Sequence, residues 1–184
     1  VPEIPPEVVA ARPAASLVVL DDRPDLHVLV GRRRADLDFA AGLVVFPGGA
    51  LESCDSSPLA AALRETGEET GWWPQPPVPG EGPDYPHVGH WITPEESHRR
   101  YDTHFFLARF SGGGALTADK NEFDAMWWDR PAVVLRRIES GELDAIAPTL
   151  SMLTSLVPYR TADAAFAGAD RGVVRRFPWG ETWF

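Results

Sequence analysis

The segment from Phe46 to Trp72, FPGGALESCDSSPLAAALRETGEETGW, restricts this chain more than any other. The apolar run Leu43 to Phe46 reads as a strand, and Pro47-Gly48-Gly49 makes a turn closed to bulky residues. A short polar loop and a helix follow, and Gly71 is the stop signal. On that helix Glu65, Glu68 and Glu69 stand at i, i+3 and i+4, just after Arg64. At about 100° per residue the three carboxylates share one helix face. Leu59, Leu63, Thr66 and Thr70 fall within about 60° of one another on a different face. One face is therefore expected to pack on a core while the other gathers negative charge. Like charges at this spacing destabilise a helix by roughly 0.2–0.5 kcal/mol per pair. A glutamate-rich helix alone reads as a solvated face. With a glycine turn ahead of it, a divalent cation that converts repulsion into attraction becomes the expectation.

The 184 residues suffice for one domain with a sizeable core. A formal net charge of −10 opposes nonspecific nucleic-acid binding, because phosphates would be repelled. It is compatible with a metal-dependent enzyme acting on anionic diphosphates. A single cysteine, Cys54, precludes an intrachain disulfide and fits a reducing cytoplasm. Its polar loop makes it an incidental thiol rather than a nucleophile. No apolar run reaches about 18 residues, so no membrane span is expected.

Residues 1–13 are proline-rich and read as an extended arm, with a single domain over 14–184. Ala14 to Leu20 and Leu26 to Val30 read as a hairpin around the turn Asp21 to Asp25, flanking the strand that ends at Phe46. Arg32-Arg33-Arg34 closes the hairpin. Guanidinium binds phosphate bidentately and stacks on bases, so a phosphate or adenine clamp is one reading of it and a solvated strand end the other. Trp72 to Pro86, with Pro-Gln-Pro-Pro-Val-Pro-Gly, is a loop. Val88 to Thr93 reads as a strand. Tyr101 to Phe110, ended by Ser111 to Gly114, is the strongest central-strand candidate, and Phe123 to Trp128 is a further strand. His90 and His104 lack the spacing of a zinc motif and are expected to be ordinary core or surface residues. Pro131 opens a helix that Gly141 ends, and Pro148 starts another with a stripe of Leu150, Leu153, Leu156 and Val157. The segment 161–184 reads as a short strand and tail against the domain or a dimer partner.

The order strand, glycine turn, loop, acidic helix, glycine resembles the Nudix box, G-x5-E-x7-R-E-U-x-E-E-x-G-U with U apolar. Arg64, Glu65, Glu68, Glu69, Gly71 and Trp72 match its second half, with Thr66 at a usually aliphatic place. The first half departs: the sixth residue after Gly49 is Asp55, not Glu, and one extra residue separates it from Arg64. That longer loop resembles the coenzyme A diphosphatase branch, whose upstream pattern R-[SA]-x3-R-x3-G-x3-FPGG is met by Arg33, Gly42 and Phe46 to Gly49. Arg34 and Asp38 depart from it, standing where a small residue and an arginine are expected.

The resemblance implies an α/β Nudix fold, an α/β/α sandwich with a mixed sheet. It also implies hydrolysis of a phosphoanhydride in a nucleoside diphosphate linked to another moiety. Coenzyme A or an acyl derivative is one substrate, with ADP-ribose, a dinucleotide or a nucleotide sugar as the alternative. A Nudix-like module that binds a nucleotide without cleaving it is the competing class, and retention of all three glutamates favours catalysis. Mg²⁺ or Mn²⁺ is the implied cofactor, since hard oxygen ligands suit these ions. By resemblance Glu65 and Glu69 are the steadiest ligands and Glu68 is ligand or base. A Gly49 carbonyl adds a ligand, and Gly48 lets the backbone approach substrate. Arg64 orients the carboxylates by pairing with Asp55 or a glutamate of the helix. Arg33 binds substrate. Glu122 completes the metal site or acts as general base, with Asp119 and Asp124 in reserve. A cytoplasmic enzyme, with a homodimer as an option, is the resulting expectation.

Overall fold

The computed structural model describes residues 9–37, 39–77, 84–112, 115–169 and 174–183. Most of the arm, Asp38, part of the proline-rich loop and part of the glycine run after Phe110 lie outside these. Among the described residues the strands are β1 (Arg12–Asp22), β2 (Leu26–Arg33), β3 (Val44–Val45), β4 (Gly48–Ala50), β5 (His87–Ile92), β6 (Tyr101–Arg109), β7 (Phe123–Asp129), β8 (Val174–Phe177) and β9 (Gly180–Trp183). The helices are α1 (Pro58–Thr70), α2 (Pro131–Glu139), α3 (Ala147–Leu156) and α4 (Ala162–Ala169). The order β3-β2-β1-β6-β5-β9-β8 makes one mixed sheet, with β4 paired to β1 and β7 to β2. β6 is central as expected and runs parallel to β1 in register from Arg12↔Tyr101 to Leu20↔Arg109.

Alternation along β1 sends side chains to two cores. Val18 and Leu20 join Val134, Met152, Leu153, Leu156 and the alanines of α4 on one face. Ala15, Leu17 and Val19 meet Ala62 and Leu63 of α1 on the other. Helices therefore cover both faces, and the α/β/α sandwich is present.

Several boundaries differ from the sequence reading. β1 starts at Arg12 because its first residues pair with β6. The glycine turn is itself a strand: Gly48 and Gly49 pair with Ser16 and Ala15. Val157 lies outside α3 and is 46% exposed, while Met152 is fully buried. The tail holds a whole helix, α4, and a hairpin whose β9 extends the sheet beyond β5. Its alanine-rich helix lacks the wide apolar–polar contrast that marks an amphipathic helix.

Candidate active site

Helix α1 is placed by its ends. The Ser57 hydroxyl accepts the Ala60 N–H, Pro58 occupies the first turn, and Gly71 at φ 71° closes the helix by donating to the Gly67 carbonyl. Thr66 and Thr70 are fully buried, and each donates its hydroxyl to a carbonyl one turn back. That packing fixes the rotation of the helix, and the rotation makes the three glutamates unequal.

Taking Glu65 as zero, Glu69 lies about 40° toward the buried side and Glu68 about 60° away from it. The side chain of Glu68 is accordingly 51% exposed, that of Glu65 15%, and Glu69 as a residue is only 2% exposed. The expected shared face is thus a gradient from solvent to core. Glu68 faces outward and takes a 2.9 Å ion pair from Arg64.

Glu69 accepts a 2.8 Å hydrogen bond from the Gly48 N–H through Oε2, while its Oε1 is buried without a partner. Burial pushes its pKa well above the usual carboxylate range. The Gly48 N–H opposes that shift, and the charges of Glu122 and Glu65 add to it. Burial also raises Glu65, against the pull of Arg64. A Cβ on Gly49 would sit 2.6 Å from the Glu65 carboxyl carbon, so glycine leaves the space this carboxylate uses. At Gly48, φ is 148° and a Cβ would collide with the Ala15 carbonyl, so glycine is required there on both counts.

Arg64 ties the loop to the helix. Its Nε and Nη2 donate to Asp55 at 3.1 and 2.9 Å, a fork on one carboxylate. Nη2 also reaches Glu65 at 3.0 Å and the Ala50 carbonyl at 3.3 Å. The extra loop residue therefore does not prevent the Arg64–Asp55 pair. The Asp55 side chain is 4% exposed, and the hydrogen bond from Arg64 holds its carboxyl below the usual range.

Arg33 and Glu122 meet from the hairpin and the loop before β7, with Nη1 to Oε2 at 3.2 Å. Of the three consecutive arginines, Arg34 turns outward to Asp36, which separates it from the site. Asp119 is used structurally: its N–H donates to the Glu69 carbonyl and its carboxylate accepts from Asn121. A cavity of about 970 Å³ opens against the carboxylates. Gly48, Gly49, Glu65, Glu122 and Arg33 are in its wall, and Phe39, Trp91 and Tyr101 supply aromatic surface. Glu68 and Glu69 do not line it. Glu69 sits behind the glycines and Glu68 outside.

The residues present fit a hard divalent cation. A buried, unpartnered carboxylate oxygen beside a second desolvated carboxylate is costly unless positive charge approaches it. All the donors are oxygens.

Sequence reasoning missed a second group. His90, Asp102 and His104 each present a ligating atom within 4.8 Å of the others. No spacing rule could find it, because it depends on the pairing register of β5 with β6.

A family model described as NUDIX domain matches residues 10–147. Uncharacterized Nudix hydrolase NudL of Salmonella heidelberg (strain SL476) is 45% identical over 74 residues, which are 40% of this chain. The match spans only 38% of that relative's length. A Nudix hydrolase from Alicyclobacillus acidocaldarius superposes with a TM-score of 0.75 at 29% identity, covering 86% of this chain and 96% of its own. The NUDIX domain of Shewanella oneidensis NrtR, solved with ADP ribose, gives 0.58 at 20% identity, covering 82% and 89%, a likeness of fold alone. The glutamate helix behind its glycine strand, the two-faced sheet and the family match agree: this chain belongs to the Nudix family.

Proposed function

We propose that the chain is a divalent-cation-dependent hydrolase that cleaves the phosphoanhydride of a nucleoside diphosphate carrying a second, bulky moiety. The observation that carries this reading is Glu69 Oε1, buried and unpartnered behind the glycine strand that, with Glu65, lines a large cavity. Nudix hydrolases generally need divalent metal ions. Here Glu65 and Glu69 would hold the cation, with the Gly49 carbonyl and Glu68 or Glu122 as further oxygens. When bound, Mg²⁺ or Mn²⁺ supplies charge neutralisation on phosphate oxygens and acidifies water.

The protein's own groups do the rest. Arg64 holds Asp55, Glu65 and Glu68 at once, so the loop cannot drift from the helix and the carboxylates keep their separation. Arg33 presents a guanidinium to the cavity for a substrate phosphate, a role that fits its place beside Glu122. Glu122 lines the cavity and Glu68 does not, which favours Glu122 as the group that takes the proton from attacking water. Cys54, the single thiol of the chain, is exposed and does not line the cavity, and direct attack by water is the proposed route. Phe39, Trp91 and Tyr101 give the cavity faces on which a base can stack.

A volume of about 970 Å³ is at the upper end for small-molecule sites and favours a two-part substrate over a simple nucleotide. The partial match of Arg33, Gly42 and Phe46 to Gly49 to the coenzyme A diphosphatase pattern favours coenzyme A or an acyl derivative. ADP-ribose is the second reading, because the NUDIX domain of NrtR was solved with it. The test is a panel of diphosphates with Mg²⁺ or Mn²⁺, products identified by mass. Release of 4′-phosphopantetheine supports the first reading and release of AMP from ADP-ribose the second. No turnover of any member, with binding retained, replaces both with a nucleotide-binding module.

A further inference from the structure

The face of the sheet opposite the cavity carries a group of imidazoles and carboxylates that hydrolysis does not use. His90 on β5 and His104 on β6 are directly paired, with rings stacked at 4.4 Å and an interplanar angle of 9°. Asp102, two residues before His104 on the same face, approaches His90 Nε2 at 2.5 Å. Register places Glu181 of β9 on the other side of His90. His104 Nδ1 lies 2.9 Å from His87 Nε2, which holds the His104 ring from outside. A bulge creates the arrangement: between His87 and Gly89 the strand β5 advances two residues while β6 advances one. This switches parity, so His87 and His90 face the same way although three residues apart. Gly89 lies at the bulge, where a Cβ would meet the end of the Met152 side chain.

We propose that His90, Asp102 and His104 bind a borderline transition cation, Zn²⁺ or its Co²⁺ or Ni²⁺ analogues, at a site separate from the glutamate helix. The donor set is two imidazoles and a carboxylate, which suits these ions and not Mg²⁺. The ligating atoms lie within 4.8 Å of one another, whereas donors about 2.0–2.1 Å from a tetrahedral zinc are roughly 3.3 Å apart. Because the two imidazoles are stacked and their lone pairs lie in the ring planes, loading requires at least one ring to turn out of the stack toward the ion, a side-chain rotation that leaves the strands in place. The cation takes the place of the hydrogen bond between His90 Nε2 and Asp102. Side chains of His90 and Asp102 are 31% and 37% exposed, so the site is open to solvent for loading. Ala15 is in register with Gly49 on one side and with His104 on the other, so two strand spacings, roughly 10 Å, separate the Gly49 and His104 backbones across the sheet.

The test is Zn²⁺ titration of chelator-treated protein in excess Mg²⁺, by calorimetry and metal analysis. It is run in the wild type, in Glu65→Gln/Glu69→Gln, and in His90→Asn/His104→Asn. The expected result is one zinc equivalent in the first two proteins and at least a tenfold weaker affinity in the third. Zinc should also protect His90 and His104 of the wild type from acylation by diethyl pyrocarbonate, mapped by mass. That measurement stands even if the double histidine variant fails to fold. Equal affinity in folded His90→Asn/His104→Asn, absent zinc binding in the wild type, or unchanged acylation of both histidines overturns the proposal.

Discussion

The two polar clusters on either side of β1 are built in opposite ways. The carboxylates come largely from one helix, with the Arg64–Asp55 ion pair and two glycines that determine where each oxygen sits. The histidines come from neighbouring strands and are brought together by one bulge. In the helix cluster burial is uneven, and the deepest group, Glu69, has an oxygen without a partner. In the strand cluster the groups are half-exposed and already bonded to one another. The lesson is that demand for a cation comes from desolvation as much as from the count of ligands. Glu68 and Glu69 are sequence neighbours with the same chemistry, yet Glu68 is exposed and paired with Arg64 while Glu69 is buried with one oxygen unpartnered.

That contrast sets the order of expected effects. Glu69→Gln should lower turnover by ~10²–10³-fold in steady-state assays. Its metal-free fold should be no less stable by thermal melting, because the buried charge is gone. Glu68→Gln should cost about tenfold or less, in keeping with a side chain that reaches the site through Arg64. Equal losses in the two variants would erase the distinction drawn from their burial. Arg64→Ala leaves the Asp55 carboxylate with the Glu52 N–H in place of its arginine fork and should cost about 1–3 kcal/mol by chemical denaturation. Arg64→Lys should recover only part of this, since one ammonium cannot fork onto Asp55 while holding Glu65. Gly48→Ala forces a side chain against the Ala15 backbone and should destabilise by about 1–3 kcal/mol in the same measurement. The smallest effect is the pH dependence. Glu69 and Glu65 have raised pKa values in the fold, so the folded state binds protons more tightly than the unfolded chain. Metal-free stability should therefore fall as pH rises from the ordinary carboxylate range through the raised values. Saturating Mg²⁺ offsets that loss. The gain in melting temperature on adding Mg²⁺ should be larger at about pH 8 than at about pH 5.

How much of this the sequence discloses follows from the range of each interaction. The spacing of Glu65, Glu68 and Glu69, the Gly71 stop and the core face of Leu63, Thr66 and Thr70 are local, and one helix expresses them directly. The rotation that separates Glu68 from Glu69 depends on what α1 packs against, so it is not local. Arg33 and Glu122 are 89 residues apart and meet only because β2 pairs with β7. Their pairing was accessible through the family pattern for Arg33 and through position alone for Glu122. The Asp38 departure lies outside the described residues. The histidine cluster was hidden because His90 and His104 have no diagnostic spacing, and the bulge that aligns His87 with His90 shows only in the pairing of β5 with β6. Helix α4 was hidden for another reason: alanines and a glycine give little periodic contrast.

The central proposal is that half-buried Glu65 and buried Glu69 hold a divalent cation against the glycine strand. Mn²⁺ titration followed by the loss of its free-ion paramagnetic resonance signal tests this directly, comparing wild type with Glu65→Gln/Glu69→Gln. The expected result is saturable Mn²⁺ binding in the wild type and at least tenfold weaker binding in a variant that remains folded. Identical Mn²⁺ binding in the two proteins, or none in the wild type, would contradict it.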